Sequence, residues 1–354
     1  MGDEGVTDGG AVRATWASVG PQAPDAADLT RFALAHSLRD VFLVVPWDGG
    51  DAGASRAAAL LRGEGMAVAA VGTDPRWAVD PRPLMQWIRR VRLGDGEVAG
   101  PTPPTTARVP NGPGGGFSGV HLDVEPWRLP LWDRDRLRTT RGLVELVRHA
   151  RRLVPDLPLS ADLPHWLAAE PYWPDEEAVA QMGPELPTTT GGPRSAPAGP
   201  VPEGSPRERP TQVDPEGSPG WRPLSDEPGL PTLLSRGPHR VTGVRRSRRS
   251  VFESMVDHLD SVTIMVPRVR AHGQGGILDV SAKARAICQQ HEVPYLIGLE
   301  TRPTTDPRRP RASFHDQGAA ALARESDRLR EALGTDPLFL GVAVHDWQAW
   351  SALG

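Results

Sequence analysis

The stretch GVHLDVEPW, from Gly119 to Trp127, alternates apolar and polar side chains. Successive side chains of a β-strand point to opposite faces, so the pattern predicts a strand with His121, Asp123 and Glu125 on one face. The apolar positions between them are Val120, Leu122 and Val124. In a closed parallel sheet the apolar face packs on helices and the other face points inwards. The stretch therefore predicts a barrel strand that ends with Glu125 at its C-terminal end, where the active sites of such barrels lie.

Short apolar runs alternate with helical patterns on both sides of this strand. Strands are predicted to begin near Ala11, Asp40, Met66, Gly119, Leu157, Ser261, Pro294 and Leu338. Strictly alternating strands and helices indicate an α/β protein with a parallel sheet. Eight such units predict closure into a (β/α)8 TIM barrel, and an open doubly wound sheet is the alternative.

The segment from Gly183 to Arg249 interrupts this rhythm. It is rich in Pro, Gly, Ser and Arg, and it holds fourteen of the 38 prolines of the chain without any apolar periodicity. Such a composition cannot bury a core of its own. We predict a disordered insertion at 183–249 between strands five and six. Residues 11–182 then form the first part of the barrel and residues 250–354 form the remainder.

Bulk composition narrows the functional classes. The net charge of -4 gives no argument for nucleic acid or an anionic membrane surface as a partner. The chain has one cysteine, Cys288, so no intramolecular disulfide can form. No apolar run approaches the ~20 residues that span a bilayer, and the first residues lack an apolar signal core. We expect a soluble cytoplasmic protein without membrane or nucleic-acid partners.

Polar side chains also end the later strands. Asp162 and His165 close strand five, Glu300 closes strand seven and His345 closes strand eight. Because the C-terminal ends of all strands meet at one face of a barrel, we expect these side chains to lie near the acidic residues of strand four.

Tryptophan is the most abundant aromatic residue, with eleven Trp against six Phe and two Tyr. Flat rings around a polar cleft suit the apolar C–H faces of sugars. We therefore predict a carbohydrate ligand and expect at least four of six strand-following tryptophans to border one cleft. The predicted substrate-binding residues are Trp16, Trp47, Trp77, His121, Trp127, His165, Trp166, His345 and Trp347.

The stretch SGVHLDVEP resembles the D-G-x-D-x-D-x-E signature on strand four of chitinase-type (family 18) glycoside hydrolases. The resemblance implies that Glu125 is the catalytic acid and Asp123 the aspartate that assists it. The runs PLSADLP, VTIMVP and YLIGLET resemble later strands of that superfamily. His121 and Ser118 stand where the signature has aspartates, and Pro267 stands where the family has a tyrosine. The stretch is also similar to uncharacterised barrel proteins with an HLDVEP strand, which imply no activity.

A second resemblance is positional. In the large clan of retaining glycosidases built on this barrel, the acid/base ends strand four and the nucleophile ends strand seven. Glu125 and Glu300 occupy these two places, while Val124 stands where the clan has an asparagine.

The leading hypothesis is glycoside hydrolysis or transfer. Glu125 would protonate the leaving oxygen, with its pKa raised by burial and by the charge of Asp123. Glu300, or else Asp162, would act as nucleophile, as base or as stabiliser of the charged transition state. This chemistry requires neither a metal nor a cofactor.

Two other functions compete with this hypothesis. A metal-dependent hydrolase would use imidazole and carboxylate ligands at the C-terminal face. The candidate ligands are His121, Asp123, His165 and His345. A non-catalytic carbohydrate-binding or scaffold barrel is the other alternative, and Pro267 in place of the family tyrosine favours it.

Overall fold

The computed structural model describes residues 11–19, 26–46, 52–93, 116–172, 249–304 and 312–354. In this part of the chain, eight parallel strands form a closed barrel. Each strand pairs with the next one along the chain, and the last pairs with the first. The strands are β1 (Val12–Ser18), β2 (Asp40–Val44), β3 (Ala67–Gly72), β4 (Gly119–Leu122), β5 (Leu159–Pro164), β6 (Ser261–Met265), β7 (Tyr295–Glu300) and β8 (Phe339–His345). The predicted (β/α)8 barrel is confirmed.

Helices connect the strands on the outside of the barrel. They are α1 (Ala26–Ala35), α2 (Ala52–Gly63), α3 (Arg82–Leu93), α4 (Pro130–Arg134), α5 (Arg136–Leu153), α6 (Val251–Val256), α7 (Ile277–Val280), α8 (Ala282–Gln290), α9 (Gly318–Leu333) and α10 (Trp347–Ser351). Short 3-10 turns at Pro75–Ala78, Pro126–Arg128 and His165–Ala168 follow β3, β4 and β5. None of the helices in the described ranges is long and apolar enough to cross a membrane.

Buried apolar side chains form two layers. The larger layer lies between strands and helices, and Val120, Leu122 and Val124 belong to it. A smaller cluster fills the barrel interior and consists of Ala14, Trp16, Phe42, Val71, Met265, Leu296 and Ala343. The ring of His121 stacks on Phe42 of this inner cluster, with centroids 4.2 Å apart. The alternation along β4 therefore places its polar face inside the barrel, as the sequence predicts.

The interior is packed closely enough to require a glycine in β7. A Cβ atom at Gly298 would lie 2.5 Å from the sulfur of Met265 and 3.0 Å from Cγ2 of Thr263, both on β6. Gly298 lies two residues before Glu300 on the same face of the strand. The missing side chain thus lets β6 side chains pack beneath the C-terminal end of β7.

The chain leaves the barrel after β5 and returns before α6 through a narrow neck, formed by residues 170–172 and 249–251. The backbone N–H of Tyr172 donates to the carbonyl of Arg249 at 3.0 Å, and that of Val251 donates to Glu170 at 2.8 Å. An antiparallel bridge joins residues 171 and 250. Apart from Arg249, the predicted insertion at 183–249 lies outside the described residues, and its disorder stays a prediction.

Candidate active site

Asp123 and Asp162 lie side by side at the C-terminal end of the barrel. Leu122 pairs with Ala161 across β4 and β5, so the two aspartates that follow are at the same level. Partners in a parallel pair point to the same face, as the preceding inward pair shows: Nδ1 of His121 lies 2.7 Å from Oγ of Ser160. The register therefore brings two carboxyl groups together inside the barrel.

Glu125 begins the turn that follows β4, with Pro126 at the first position of the turn. Nη1 of Arg128 donates to Oε2 of Glu125 at 3.0 Å. The Glu125 residue is 6% exposed, whereas the side chain of Arg128 is 19% exposed. The carboxyl group is thus buried beside a cation that still reaches solvent, and the ion pair is not fully enclosed.

The pKa values of both acids on this stretch are raised. Burial is the main cause for Asp123, and the neighbouring charges of Glu125 and Asp162 raise its pKa further. Burial also raises the pKa of Glu125, although Arg128 and His345 act in the opposite direction. A group with a raised pKa holds its proton at higher pH than an ordinary carboxyl group. This pair can therefore carry a proton where exposed acids are ionised.

Glu300 and His345 form a second polar pair across the barrel, on neighbouring strands β7 and β8. They are in register, and Nδ1 of the imidazole lies 3.0 Å from Oε2 of Glu300. The other carboxylate oxygen accepts backbone hydrogen bonds from Thr301 at 2.9 Å and Arg302 at 2.8 Å. Burial lowers the pKa of His345, but Glu300 outweighs this effect and raises it overall. This pair combines a fixed carboxylate with an imidazole that favours its charged form.

Arg128 and Arg302 are functional candidates that the sequence patterns did not single out. Nε of Arg302 donates to Oδ2 of Asp346 at 2.7 Å, and Nη2 of the same guanidinium contacts the same oxygen. Both arginines act on Asp123, where their positive charges lower the pKa. Arg128 follows Glu125 by three residues and Arg302 follows Glu300 by two, and this spacing after a candidate acid is the signal that could have identified them.

Trp16 and His121 lie beneath the carboxyl groups. Nε1 of Trp16 donates to Oδ2 of Asp162 at 2.9 Å, and Nε2 of His121 lies 2.9 Å from Oδ1. Trp16 is 2% exposed and His121 is completely buried. The predicted sugar contacts of these two residues are therefore corrected, because neither ring is open to a ligand.

The predicted tryptophans that the structure describes do not all border one cleft. Trp77 is 1% exposed and packs on Trp87 of α3, with ring centroids 5.5 Å apart. Trp347 is 4% exposed and packs on Phe32 of α1. Both belong to the layer between strands and helices, so their predicted sugar contacts are corrected as well. Trp47 lies outside the described residues.

Two of the predicted tryptophans do lie together after β4 and β5. Trp127 and Trp166 meet edge to face with centroids 5.3 Å apart, and both are half-buried. Trp132, which the sequence analysis did not single out, packs edge to face against both rings. His165 directly precedes Trp166 and is also half-buried. These rings form an aromatic cluster next to Glu125 in the chain.

The predicted metal ligands do not form a metal centre. Among the described residues, no three His, Cys, Asp or Glu side chains converge so that they could hold a metal ion. His121 is directed at Ser160 and Asp162, and His345 at Glu300. The two imidazoles thus contact carboxyl or hydroxyl groups and do not point at one common metal position.

Comparisons with known proteins find similar solved structures, among them the two that follow. No family model matches the chain, and no curated protein matches it. The Bacillus cereus spore cortex-lytic enzyme SleL is similar with a TM-score of 0.44 and 10% identity, over 96% of this chain and 72% of that one. An active-site mutant of Rhizomucor miehei β-1,3-glucanosyltransferase, in complex with laminaritriose, is similar with a TM-score of 0.44 and 8% identity. That match covers 95% of this chain and 86% of the other.

Proposed function

We propose that the chain hydrolyses or transfers glycosidic bonds, with Glu125 as the general acid. One observation carries the proposal: Asp123 and Glu125 lie at the C-terminal end of the barrel, and burial raises the pKa of both. A general acid must hold its proton at working pH and release it in the transition state. A buried Glu125 beside a half-buried Asp123, both with raised pKa values, meets this requirement, and glycoside cleavage is a reaction that uses it.

The contacts of Glu125 divide the roles of its two oxygens. Arg128 donates to Oε2 at 3.0 Å, so Oε1 is proposed to carry the proton to the leaving oxygen. After the transfer, the guanidinium stabilises the new carboxylate by a charge-assisted hydrogen bond. Asp123 assists because the charge of Glu125 raises the pKa of Asp123, so the two neighbouring carboxyl groups favour holding a proton between them.

Glu300 is proposed as the second carboxylate. His345 contacts Glu300 at 3.0 Å and also acts electrostatically on Glu125, which supports a position of both glutamates near this imidazole. If the two carboxyl groups lie ~5–5.5 Å apart, the reaction retains configuration; ~6.5–9.5 Å implies inversion. The half-buried rings of Trp127 and Trp166 are the proposed platform for a sugar ring.

The ion pair between Glu125 and Arg128 favours a second candidate function. A cation at 3.0 Å favours the ionised acid. If this effect prevails during binding, the barrel holds a carbohydrate without cleaving it. The two candidates share the aromatic cluster and differ in whether Glu125 donates a proton.

The experiment compares the wild type with Glu125→Gln on a panel of soluble polysaccharides and aryl glycosides. Release of reducing ends or aryl alcohol measures turnover, and affinity electrophoresis measures binding. Glu125→Gln should lower turnover by about 10²–10⁴-fold, because the amide keeps the shape but donates no acidic proton. Binding and thermal stability should stay at the wild-type level.

Glu331→Gln is the matched control, because it makes the same change on the exposed surface of α9. It should leave turnover unchanged. Wild-type turnover that survives Glu125→Gln would refute the proposed acid. A wild type that binds a polysaccharide but never cleaves it would establish the binding barrel instead.

A further inference from the structure

Asp162 is contacted by side chains from two other strands. Its two oxygens are engaged separately: Oδ2 accepts from the indole of Trp16 on β1 at 2.9 Å, and Oδ1 contacts the imidazole of His121 on β4 at 2.9 Å. Asp162 is 4% exposed. Its carboxylate is therefore fixed in the barrel interior from both sides.

The anchoring residues are themselves immobilised. The ring of His121 stacks on Phe42 at 4.2 Å, and its other nitrogen lies 2.7 Å from Oγ of Ser160. The indole of Trp16 packs on the same Phe42 ring at 5.0 Å. Rings from three strands thus hold one carboxylate in a single orientation, which is how a preorganised site keeps a charge in place.

The fixed carboxylate lies beside Asp123. The register of β4 and β5 puts the two aspartates at the same level and on the same face. A negative charge on one of two neighbouring acids in a largely buried site makes a second negative charge costly. Consistent with this, Asp162 raises the pKa of both Asp123 and Glu125. The charged groups that act on these two acids are Asp162, Arg128, Arg302 and His345, in addition to their action on each other.

We infer that Asp162 is a positioning residue whose fixed negative charge keeps the proton on the Asp123–Glu125 pair. The inference rests on the proposed function for its catalytic meaning, but the proton itself can be observed without a substrate. Trp16 and His121 act through Asp162, because they fix the carboxylate that faces the pair. The sequence patterns assigned both residues to sugar binding, and this inference gives them a different role.

The test follows the carbonyl stretching band of protonated carboxyl groups by infrared spectroscopy during a pH titration of the purified chain. Asp123→Asn identifies which part of the band belongs to Asp123. In Asp162→Asn the isosteric amide removes the charge, so the midpoint of the Asp123 band should fall by about one pH unit. An unchanged midpoint in Asp162→Asn would overturn the inference.

Trp16→Phe tests the inference through a residue that holds Asp162 in place. This variant provides the test if Asp162→Asn does not fold. It replaces the indole with a smaller aromatic ring and removes the N–H donor to Asp162, so the midpoint should again fall. Trp87→Phe is the matched control: this buried indole donates to the carbonyl of Val45 at 3.1 Å in the outer layer. It should leave the midpoint unchanged, and equal shifts in both variants would refute a specific role of Trp16.

The titration separates this inference from the proposed function. A chain that never cleaves a glycoside but shows the shifted band keeps the inference and loses the function. If turnover is found, the alkaline limb of the kcat/KM profile should move to lower pH in Asp162→Asn, because the acid loses its proton earlier. An alkaline limb at the wild-type pH in that variant would count against the inference while leaving the function in place.

Discussion

At the scale of single residues, Asp123 shows that the site lowers the stability of the folded chain when its carboxyl group is ionised. Its pKa is raised chiefly by burial, and Glu125 and Asp162 add to this effect. The folded state therefore binds a proton more strongly than the unfolded chain does. The stability that this proton contributes is fully present below the unfolded pKa and is lost as pH rises through the folded pKa.

Asp123→Asn should therefore stabilise the chain at alkaline pH. Asparagine has nearly the same shape and never ionises, so the variant should gain about 1 kcal/mol in free energy of unfolding relative to wild type at pH 8. The gain should shrink at pH 5, where the wild-type carboxyl group keeps more of its proton. Urea unfolding at the two pH values measures this difference. Asp327→Asn, an exposed change on α9, is the control.

The alternation in GVHLDVEPW was sufficient to place His121 inside the barrel, but the fate of a residue after a strand was less predictable. Trp77 and Trp127 both follow strands, yet one ring is in the outer core and the other is half-buried beside Trp166. The difference arises from local geometry. A Cβ atom at Gly72 would lie 2.5 Å from the Trp77 ring, so this glycine admits the ring above the end of β3. Contacts of this kind depend on tertiary packing and not on position in the sequence.

At the scale of elements, the strands could be predicted from apolar runs, and so could the ends of β7 and β8, but the end of β4 could not. The sequence predicted a strand that ends with Glu125, whereas β4 ends at Leu122. Pro126 has no backbone N–H to donate and opens a 3-10 turn with Glu125 at its N-terminal boundary. Because of this turn, Arg128 can reach back to Glu125. A longer strand would have carried the arginine away from the carboxyl group.

The interior of β7 offers a prediction at this scale. Gly298→Ala should lower the free energy of unfolding by about 1–3 kcal/mol, because its Cβ atom would overlap Met265 and Thr263 inside a packed barrel. Gly63→Ala at the end of α2 is the matched control, since nothing lies within 4 Å of its added Cβ atom. Chemical denaturation of both variants measures the effect. Equal stability of the two variants would contradict the close packing of β6 on β7.

At the scale of the whole molecule, the neck predicts that the barrel does not need residues 173–248. The bridge between residues 171 and 250 and the two backbone hydrogen bonds already bring the chain ends together. An Asn-Gly turn joining Tyr172 directly to Arg249 should complete a hairpin, because this dipeptide favours the tight turn that antiparallel strands need. The shortened chain should melt within about 4 °C of the full chain, equivalent to about 1 kcal/mol.

Circular dichroism during heating measures this difference. A matched variant that carries Gly-Gly in place of Asn-Gly tests the turn separately from the removal of the segment. A shortened chain that does not fold with either turn would show that the barrel depends on residues 173–248. The same result would contradict the division of the chain into a barrel and an insertion.

The neck also bears on how such a chain can change over generations. The two segments of the neck are joined by backbone hydrogen bonds, which do not depend on particular side chains. The entropic cost of closing a loop rises only slowly with length, by about 0.6 kcal/mol for each doubling. A lineage can therefore lengthen, exchange or lose the connecting segment at little cost to the carboxyl groups inside the barrel. Selection can act on the segment and on the catalytic candidates independently.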